Sequence, residues 1–400
     1  MTEWIDCKLS DIGEIVGGAT PSTKDKSNYD GDIVWLTPKD LSNFTERYIE
    51  KGERSITEKG YNSCSTKMLP VNAILFSSRA PIGYVAIAAN EMCTNQGFKS
   101  VIPNDKVDYK FLYYLLKYKK SFIEGMGSGT TFKEVSGNVM KNIEVHIPRN
   151  VIIQKKIAKI LDSIDSKIEC NNAINRNLQE QAETLYKSWF VDFEPYGGQK
   201  PADWVNGIVE DLAKEVVCGK TPSTKKEEYY GEDVPFVTIP DMHRCVYTVR
   251  TERKLSILGA ESQSKKTLPK NSVCVSCIGT AGLVVLLPEA SQTNQQINSI
   301  VPKPNYSPYY IYLMMNTMGE TINKFGQAGS TIVNLNKTQF GRMEVLIPSV
   351  AAMSDFDKIV EPIFNKILSN QLENIRLANL RDLLLPKLMS GELDVSEIDI

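Results

Sequence analysis

The sequence predicts an α/β (mixed α+β) fold in two tandem copies, separated by two long antiparallel coiled-coil helices and related by a pseudo-two-fold axis. Three observations carry this expectation. Short motifs recur about 200 positions apart along nearly the whole chain. Each copy ends in an apolar stripe with 4-3-4-3 spacing. Before each stripe, short β-rich runs alternate with Gly, Pro and Asn turns.

The repeat is read from paired motifs. Gly18-Ala19-Thr20-Pro21-Ser22-Thr23-Lys24 returns as Gly219-Lys220-Thr221-Pro222-Ser223-Thr224-Lys225. Asp40 returns as Asp241, Leu69-Pro70-Val71-Asn72 as Leu268-Pro269-Lys270-Asn271, and Thr94-Asn95-Gln96 as Thr293-Asn294-Gln295. Gly129-Thr130-Thr131 returns as Gly329-Ser330-Thr331, and Glu144-Val145-His146-Ile147-Pro148 as Glu344-Val345-Leu346-Ile347-Pro348. A steady offset across six motifs marks one tandem duplication rather than a solenoid, whose period would be far shorter.

The predicted elements follow in order. Residues 1–150 form a first mixed domain, with β-rich runs such as Ala73–Phe76 and a helix-like stretch from Tyr109 to Phe122. Residues 151–195 hold a long helix whose seam is Ile157, Leu161, Ile164, Ile168, Asn171, Asn175, Leu178, Ala182, Leu185 and Trp189. Residues 196–349 repeat the mixed domain, with Val273–Ser276 as a strand and Tyr309 to Ile322 as the helix-like stretch. Residues 350–400 hold the second long helix and a tail. Its seam is Phe356, Val360, Ile363, Ile367, Asn370, Asn374, Leu377, Arg381, Leu384 and Leu388. Arg381 fits an apolar seam poorly. Pro362 fits a helix only in its first turn or at a kink. In an antiparallel pair Asn171 and Asn175 would face Asn374 and Asn370, a buried polar layer that fixes register at a cost in stability. A solvated rim is the alternative.

Composition excludes much. Apolar residues make up 42% and charged residues 24%, the balance of a globular protein rather than a disordered one. There is no run of 18 apolar residues, as a membrane-spanning helix would need. Eight scattered cysteines and no visible export signal lead us to expect reduced thiols and a cytoplasmic location. Two histidines, His146 and His243, are too few for a histidine-rich metal site. Cys274-Val275-Ser276-Cys277 lacks the second pair a zinc site needs, so no metal ligands are assigned. The glycine-rich runs at 125–131 and 326–331 lack the Gly-Lys-Ser/Thr ending of a phosphate-binding loop. Net charge is −2, not the basic footprint of a self-sufficient nucleic-acid binder.

Two reading heads held apart by a rigid helix pair suit a dyad-related polymer, and duplex DNA is one. The candidate DNA-facing residues are Thr20, Ser22, Thr23 and Lys24 with Thr221, Ser223, Thr224 and Lys225; Ser77, Ser78 and Arg79; and Ser128, Thr130 and Thr131 with Ser330 and Thr331. Arg79 could pair bidentately with guanine or hold a phosphate or carboxylate; the second copy has Ile278 there. Residues shared by both copies suit phosphate positioning, and base readout should fall where the copies differ. Thr94-Asn95-Gln96, being shared, reads as structural. Lys117, Lys119 and Lys120 read as a solvated helix face, with phosphate contact as the alternative. Trp189, Phe190 and Phe193 should pack against a neighbouring domain, with a partner-subunit contact as the alternative.

These residues carry a family resemblance. Ile157-Ala158-Lys159-Ile160-Leu161-Asp162, running through Asn171-Asn172 to Leu185-Tyr186-Lys187-Ser188-Trp189-Phe190-Val191-Asp192-Phe193-Glu194-Pro195, resembles the central conserved region of type I restriction–modification specificity subunits. Leu384-Leu385-Pro386-Lys387-Leu388-Met389-Ser390-Gly391-Glu392-Leu393 resembles the distal one, and the Thr-Pro-Ser-Thr loops resemble the motif that opens each target recognition domain. The resemblance implies a non-catalytic subunit that reads a bipartite, asymmetric DNA site. It also implies two methyltransferase (modification) subunits bound through the helices, and restriction (translocase–nuclease) subunits joining them. S-adenosylmethionine, ATP and Mg2+ would belong to those partners, with no cofactor in this chain. Two rivals remain: a self-contained enzyme, and a coiled-coil scaffold whose end domains bind protein.

Overall fold

The computed structural model describes residues 2–42, 44–79, 81–128, 133–326 and 334–398, without the side chains of 323–326. The chain divides into two compact units. Unit 1 comprises Met1–Glu169 and Arg376–Ile400, and unit 2 comprises Cys170–Ile375. Each unit therefore contains one mixed domain and part of each long helix.

Unit 1 is built on a five-stranded sheet in the order Gly13–Gly17, Lys99–Pro103, Ile74–Ser78, Ile82–Ala88, Tyr48–Ile49. The pairs are antiparallel except the last. Ile74, Leu75 and Phe76 are fully buried, which is why this strand reads as a continuous apolar run instead of alternating. A three-stranded sheet holds Arg54–Ile56, Tyr29–Leu36 and Cys93–Thr94, and Trp4–Lys8 pairs antiparallel with Glu144–Pro148. The helix Tyr109–Tyr118 starts at Asp108, whose carboxylate accepts from the Lys110 and Phe111 backbone N–H groups. Six consecutive residues from Phe111 to Leu116 are buried, so this helix is enclosed by its domain.

Unit 2 repeats the plan with different side chains. Its main sheet runs Ala213–Cys218, Ile297–Pro302, Val273–Ser276, Val284–Leu286, and its smaller sheets match those of unit 1. Pro308–Thr317 is the enclosed helix, capped by Ser307. The two helix-like stretches expected from sequence each divide in two, the second pieces being Lys120–Gly125 and Gly319–Gly326.

The central helix is continuous from Val151 to Phe190 and the distal helix from Val350 to Met389, each 40 residues long and reaching beyond its seam at the start. The distal helix starts twelve residues before Pro362, which corrects the first-turn placement. Pro362 is exposed, so water can reach the Lys358 carbonyl that it leaves without an intrahelical donor.

Within unit 1 the helix segments run antiparallel. Ile157, Ala158 and Leu161 share one core cluster with Leu388 and Met389, and Asp165 meets Arg381. Within unit 2, Trp189 packs against Phe356 with the rings tilted and their centroids 5.6 Å apart, and Phe356, Val360, Phe364 and Ile367 share a cluster with Ala182, Tyr186 and Phe190. All ten seam positions of each helix are buried or half-buried. Asn171 donates from Nδ2 to Asn374 at 2.9 Å and to Glu373 at 2.8 Å. Asn370 donates to Asn175 at 2.8 Å, and Asn374 donates to Asn172 at 2.8 Å. Asn171 and Asn370 are fully buried, and their Oδ1 atoms accept no hydrogen bond from the described residues. This polar layer is costly in the interior.

Candidate nucleic-acid interface

The shared Thr-Pro-Ser-Thr loops sit in the same frame in both units. In unit 1 the loop lies against Thr94-Asn95-Gln96: Ala19 N–H donates to the Thr94 carbonyl at 3.0 Å, and the Thr20 hydroxyl bonds the Gln96 carboxamide. In unit 2 Lys220 N–H donates to Thr293 O at 2.9 Å, and Thr221 donates to Gln295 Oε1 at 2.6 Å. Tyrosine hydroxyls clamp the prolines, Tyr29 to the Pro21 carbonyl at 2.7 Å and Tyr230 to the Pro222 carbonyl at 3.0 Å. A Cβ at Gly18 would collide with the Thr94 carbonyl, and one at Gly219 with the Asn294 carbonyl. The glycine is thus required where one loop lies on the other.

This frame sorts the candidate residues. Thr20 and Thr221 are half-buried and use their hydroxyls internally, so they position the loop. Ser22, Thr23 and Lys24, and likewise Ser223, Thr224 and Lys225, are exposed at its tip. Hydroxyls and an ammonium on a rigid loop are groups that contact nucleic-acid phosphate. The Thr94-Asn95-Gln96 segment and its copy hold the loop.

Ser77 and Ser78 require correction. Both are fully buried. The Ser77 hydroxyl donates to the Pro81 carbonyl and accepts from Tyr84 N–H, each at 2.8 Å, and Ser78 donates to the Gly97 carbonyl at 3.2 Å. Their hydrogen bonds close the strand end and leave nothing for DNA. Arg79, next in the chain, is one-third exposed and lies 3.8 Å from Glu134. Ser128 is exposed and bridges Glu134 through the backbone. Thr130, Thr131, Ser330 and Thr331 lie outside the described residues.

Several residues absent from the sequence-based set belong to this surface. Gln96 and Gln295 anchor the loops; Glu134 joins Arg79, Lys99 and Ser128. Asn334 is the unit 2 counterpart of Glu134, bridging Ile278 where Glu134 bridges Arg79. The signal lay in the repeat alignment, as polar positions just after the Gly-Thr-Thr and Gly-Ser-Thr motifs that differ between the copies.

The basic cluster after Tyr113 and Tyr114 also needs revision. Lys117 is half-buried over the Tyr113 ring, and burial pulls its ammonium below the ordinary lysine range. It belongs to the packing of unit 1 and not to a solvated face. Cys274 and Cys277 are buried in and just after the strand Val273–Ser276, where burial pushes their thiols up to about 12 and about 11. Trp189, Phe190 and Phe193 gather around Trp204, Tyr310 and Phe356 of unit 2.

Arg47 is a further structural determinant. It is nearly buried and binds the central helix: its guanidinium meets Asp162, donates to Ser166 at 2.9 Å and reaches Glu169 at 2.6 Å. Unit 2 docks its domain differently. There the Gln371 carboxamide of the distal helix pairs with the Tyr247 backbone, N–H and carbonyl each at 3.1 Å.

Among the described residues, no helix is long and apolar enough to cross a membrane. The family model of the type I restriction modification DNA specificity domain matches residues 1–180 and again 201–379. The chain is 34% identical to the type I restriction enzyme MjaIX specificity subunit of Methanocaldococcus jannaschii, over 99% of this chain and 95% of that one. It is 30% identical to the type I restriction enzyme HindI specificity subunit of Haemophilus influenzae, over 98% and 100%. Its fold is similar to the crystal structure of a type I restriction–modification S subunit from M. genitalium, with a TM-score of 0.61, 17% identity, and 97% and 96% of the two chains covered. Both repeats and nearly the full lengths of these relatives agree, and the protein belongs to the type I restriction–modification family as a DNA specificity subunit with two target recognition domains.

Proposed function

We propose that each unit reads one half of a bipartite, asymmetric duplex DNA site, and that the paired long helices set the distance between the halves. One observation carries this reading. The two units hold the same loops in the same hydrogen-bonded frame, yet the outward residues beside those loops differ. A common frame suits a common task, contact with the phosphate backbone. Different neighbours suit different half-sites.

In this reading the exposed tips Ser22, Thr23 and Lys24, and Ser223, Thr224 and Lys225, contact phosphate, with Thr20 and Thr221 holding them in place. Arg79 and Ser128 face the first half-site. The target recognition domains occupy residues 1–150 and 196–349. Asn171, Asn175, Asn370 and Asn374 fix the register of the helix pair, and hence the spacing. The helices recruit two methyltransferase subunits, which restriction (translocase–nuclease) subunits join in the cytoplasm. S-adenosylmethionine, ATP and Mg2+ act in those partners, and this chain contributes no catalytic group. The net charge of −2 supports shared binding, since phosphate neutralisation dominates affinity for DNA and a partner would supply much of it.

The test is co-expression with the methyltransferase subunit of the same system, followed by genome-wide mapping of modified bases. The expected result is one motif of two unlike halves separated by a fixed, unread spacer. Modification without sequence preference would contradict the proposal.

A further inference from the structure

We propose that Arg79 and Glu134 are the base-reading pair of unit 1, that Lys99 positions Glu134 behind them, and that Asn334 with Ile278 reads the corresponding base pair in unit 2. This rests on the DNA-recognition reading above and deepens it to particular residues and bases.

The argument starts from the backbone. In unit 1 Ser78 N–H donates to the Gly97 carbonyl at 2.7 Å and Val135 N–H to the Ser78 carbonyl at 2.9 Å. In unit 2 Cys277 N–H donates to the Gln296 carbonyl at 2.8 Å and Leu335 N–H to the Cys277 carbonyl at 3.0 Å. The residues that follow then bridge, Arg79 with Glu134 and Ile278 with Asn334. The same backbone frame thus presents a charged pair in one unit and an amide beside an aliphatic side chain in the other.

The frame adjoins the phosphate-facing loop. Lys99, with a side chain only 15% exposed, lies 3.3 Å from the Gln96 carbonyl and 3.4 Å from the Glu134 carboxylate. Gln96 in turn bonds Thr20. Lys99 therefore ties Glu134 to the loop that positions the backbone. In unit 2 the equivalent Asn298 is buried and donates to the Leu335 carbonyl at 3.0 Å, bracing the same frame without charge.

Exposure and spacing give the pair its role. Arg79 and Glu134 keep 34% and 39% of their side chains exposed, and at 3.8 Å they make no hydrogen bond. Such a pair re-partners at little cost. Arginine donates to guanine O6 and N7, and glutamate accepts from cytosine N4, so the two can read a single G·C pair from both sides. Asparagine reads adenine through N6 and N7, and an aliphatic group packs on the thymine methyl. The first half-site should carry G·C at this position and the second A·T.

The experiment uses the full chain co-expressed with its methyltransferase, with modified bases mapped for the wild type, for Arg79→Ile with Glu134→Asn, and for Glu134→Gln. A thermal melt accompanies each variant, and Glu134→Gln, which keeps side-chain shape, carries the test if the double variant fails to assemble. The double variant should lose preference for one G·C pair in the first half-site, on the order of tenfold to hundredfold. The second half-site should be unchanged. Glu134→Gln should weaken the preference for that G·C pair less than the double variant does, because Arg79 still reads its guanine. A first half-site unaltered by both variants would overturn the inference and leave the ion pair a brace of the hairpin. A wild-type complex without any bipartite motif is a different result, and would remove both the underlying reading and this one.

Discussion

Arg381 of the distal helix donates to the Asp165 carboxylate of the central helix at 2.7 Å, and Tyr114 of the enclosed helix donates its hydroxyl to the same carboxylate at 2.8 Å. The Asp165 side chain is only 8% exposed, so this arginine, which looked misplaced on an apolar seam, neutralises a buried charge. The corresponding positions of unit 2 are Phe364 and Ala182, both in its apolar core. The Arg381→Leu variant strands the carboxylate and should destabilise unit 1 by about 3 kcal/mol. Adding Asp165→Leu and Tyr114→Phe, which removes every polar atom of the group, should recover most of that loss. Urea titrations of the single and triple variants check this. A triple variant weaker than the single would show that packing, not charge burial, dominates here.

Arg47 should be as sensitive. Its nearly buried guanidinium spans Asp162, Ser166 and Glu169 on the central helix. We expect Arg47→Ala to cost about 3 kcal/mol, with Arg47→Lys failing to restore it because an ammonium lacks the planar fork. Gln371→Ala, which removes only neutral hydrogen bonds to Tyr247, should cost about 1 kcal/mol. Comparing the three denaturation midpoints tests this asymmetry.

The fold was largely legible because the repeat and the seam are properties of sequence periodicity. Ile157 to Trp189 and Phe356 to Leu388 mark the buried faces directly. Arg381 was not legible, since its partner Asp165 lies on the other long helix and meets it only through packing. Tyr113 sits one turn before Lys117 on the same helix, but the burial of Lys117 comes from the packing around that helix. Ser77 and Ser78 misled for a related reason: a serine at a strand end looks the same whether it faces solvent or closes a turn on Pro81 and Gly97. Glu134 carries no motif of its own. The repeat alignment offers it as one polar position among several, and the bridges to Arg79 and Ser128 and the contact with Lys99 single it out.

The acidity of Asp357 gives unit 2 a pH dependence. Burial raises its carboxyl from 3.8 to about 6; the Ser307 hydroxyl, which bonds it, opposes the shift, and Glu361 adds to it. The folded state therefore holds the proton more tightly than the unfolded one. Its stabilising contribution is complete below pH 3.8 and fades as pH rises through about 6. The Asp357→Asn variant should be more stable than wild type at pH 8, by on the order of 1 kcal/mol once solvent screening of a part-exposed group is allowed for. At pH 4 the two should converge. Thermal melts at both pH values check it, and a difference independent of pH would contradict it.

The asparagine layer should trade stability for register. Replacing Asn171 and Asn374 with leucine removes a buried carboxamide oxygen without a donor among the described residues. We expect the double variant to be more stable by about 1–2 kcal/mol and to accept a wider set of spacer lengths in modified DNA. A more stable variant with an unaltered spacer would separate register from spacing.

Inserting one heptad into each long helix, opposite one another, and mapping the modified motif tests the spacing claim most directly. Seven residues add about 10 Å of helix, roughly three base pairs of duplex at 3.4 Å each. The account predicts that both half-sites are retained while the preferred spacer lengthens by up to that amount. Retention of the original spacer by an assembled, active complex would contradict it.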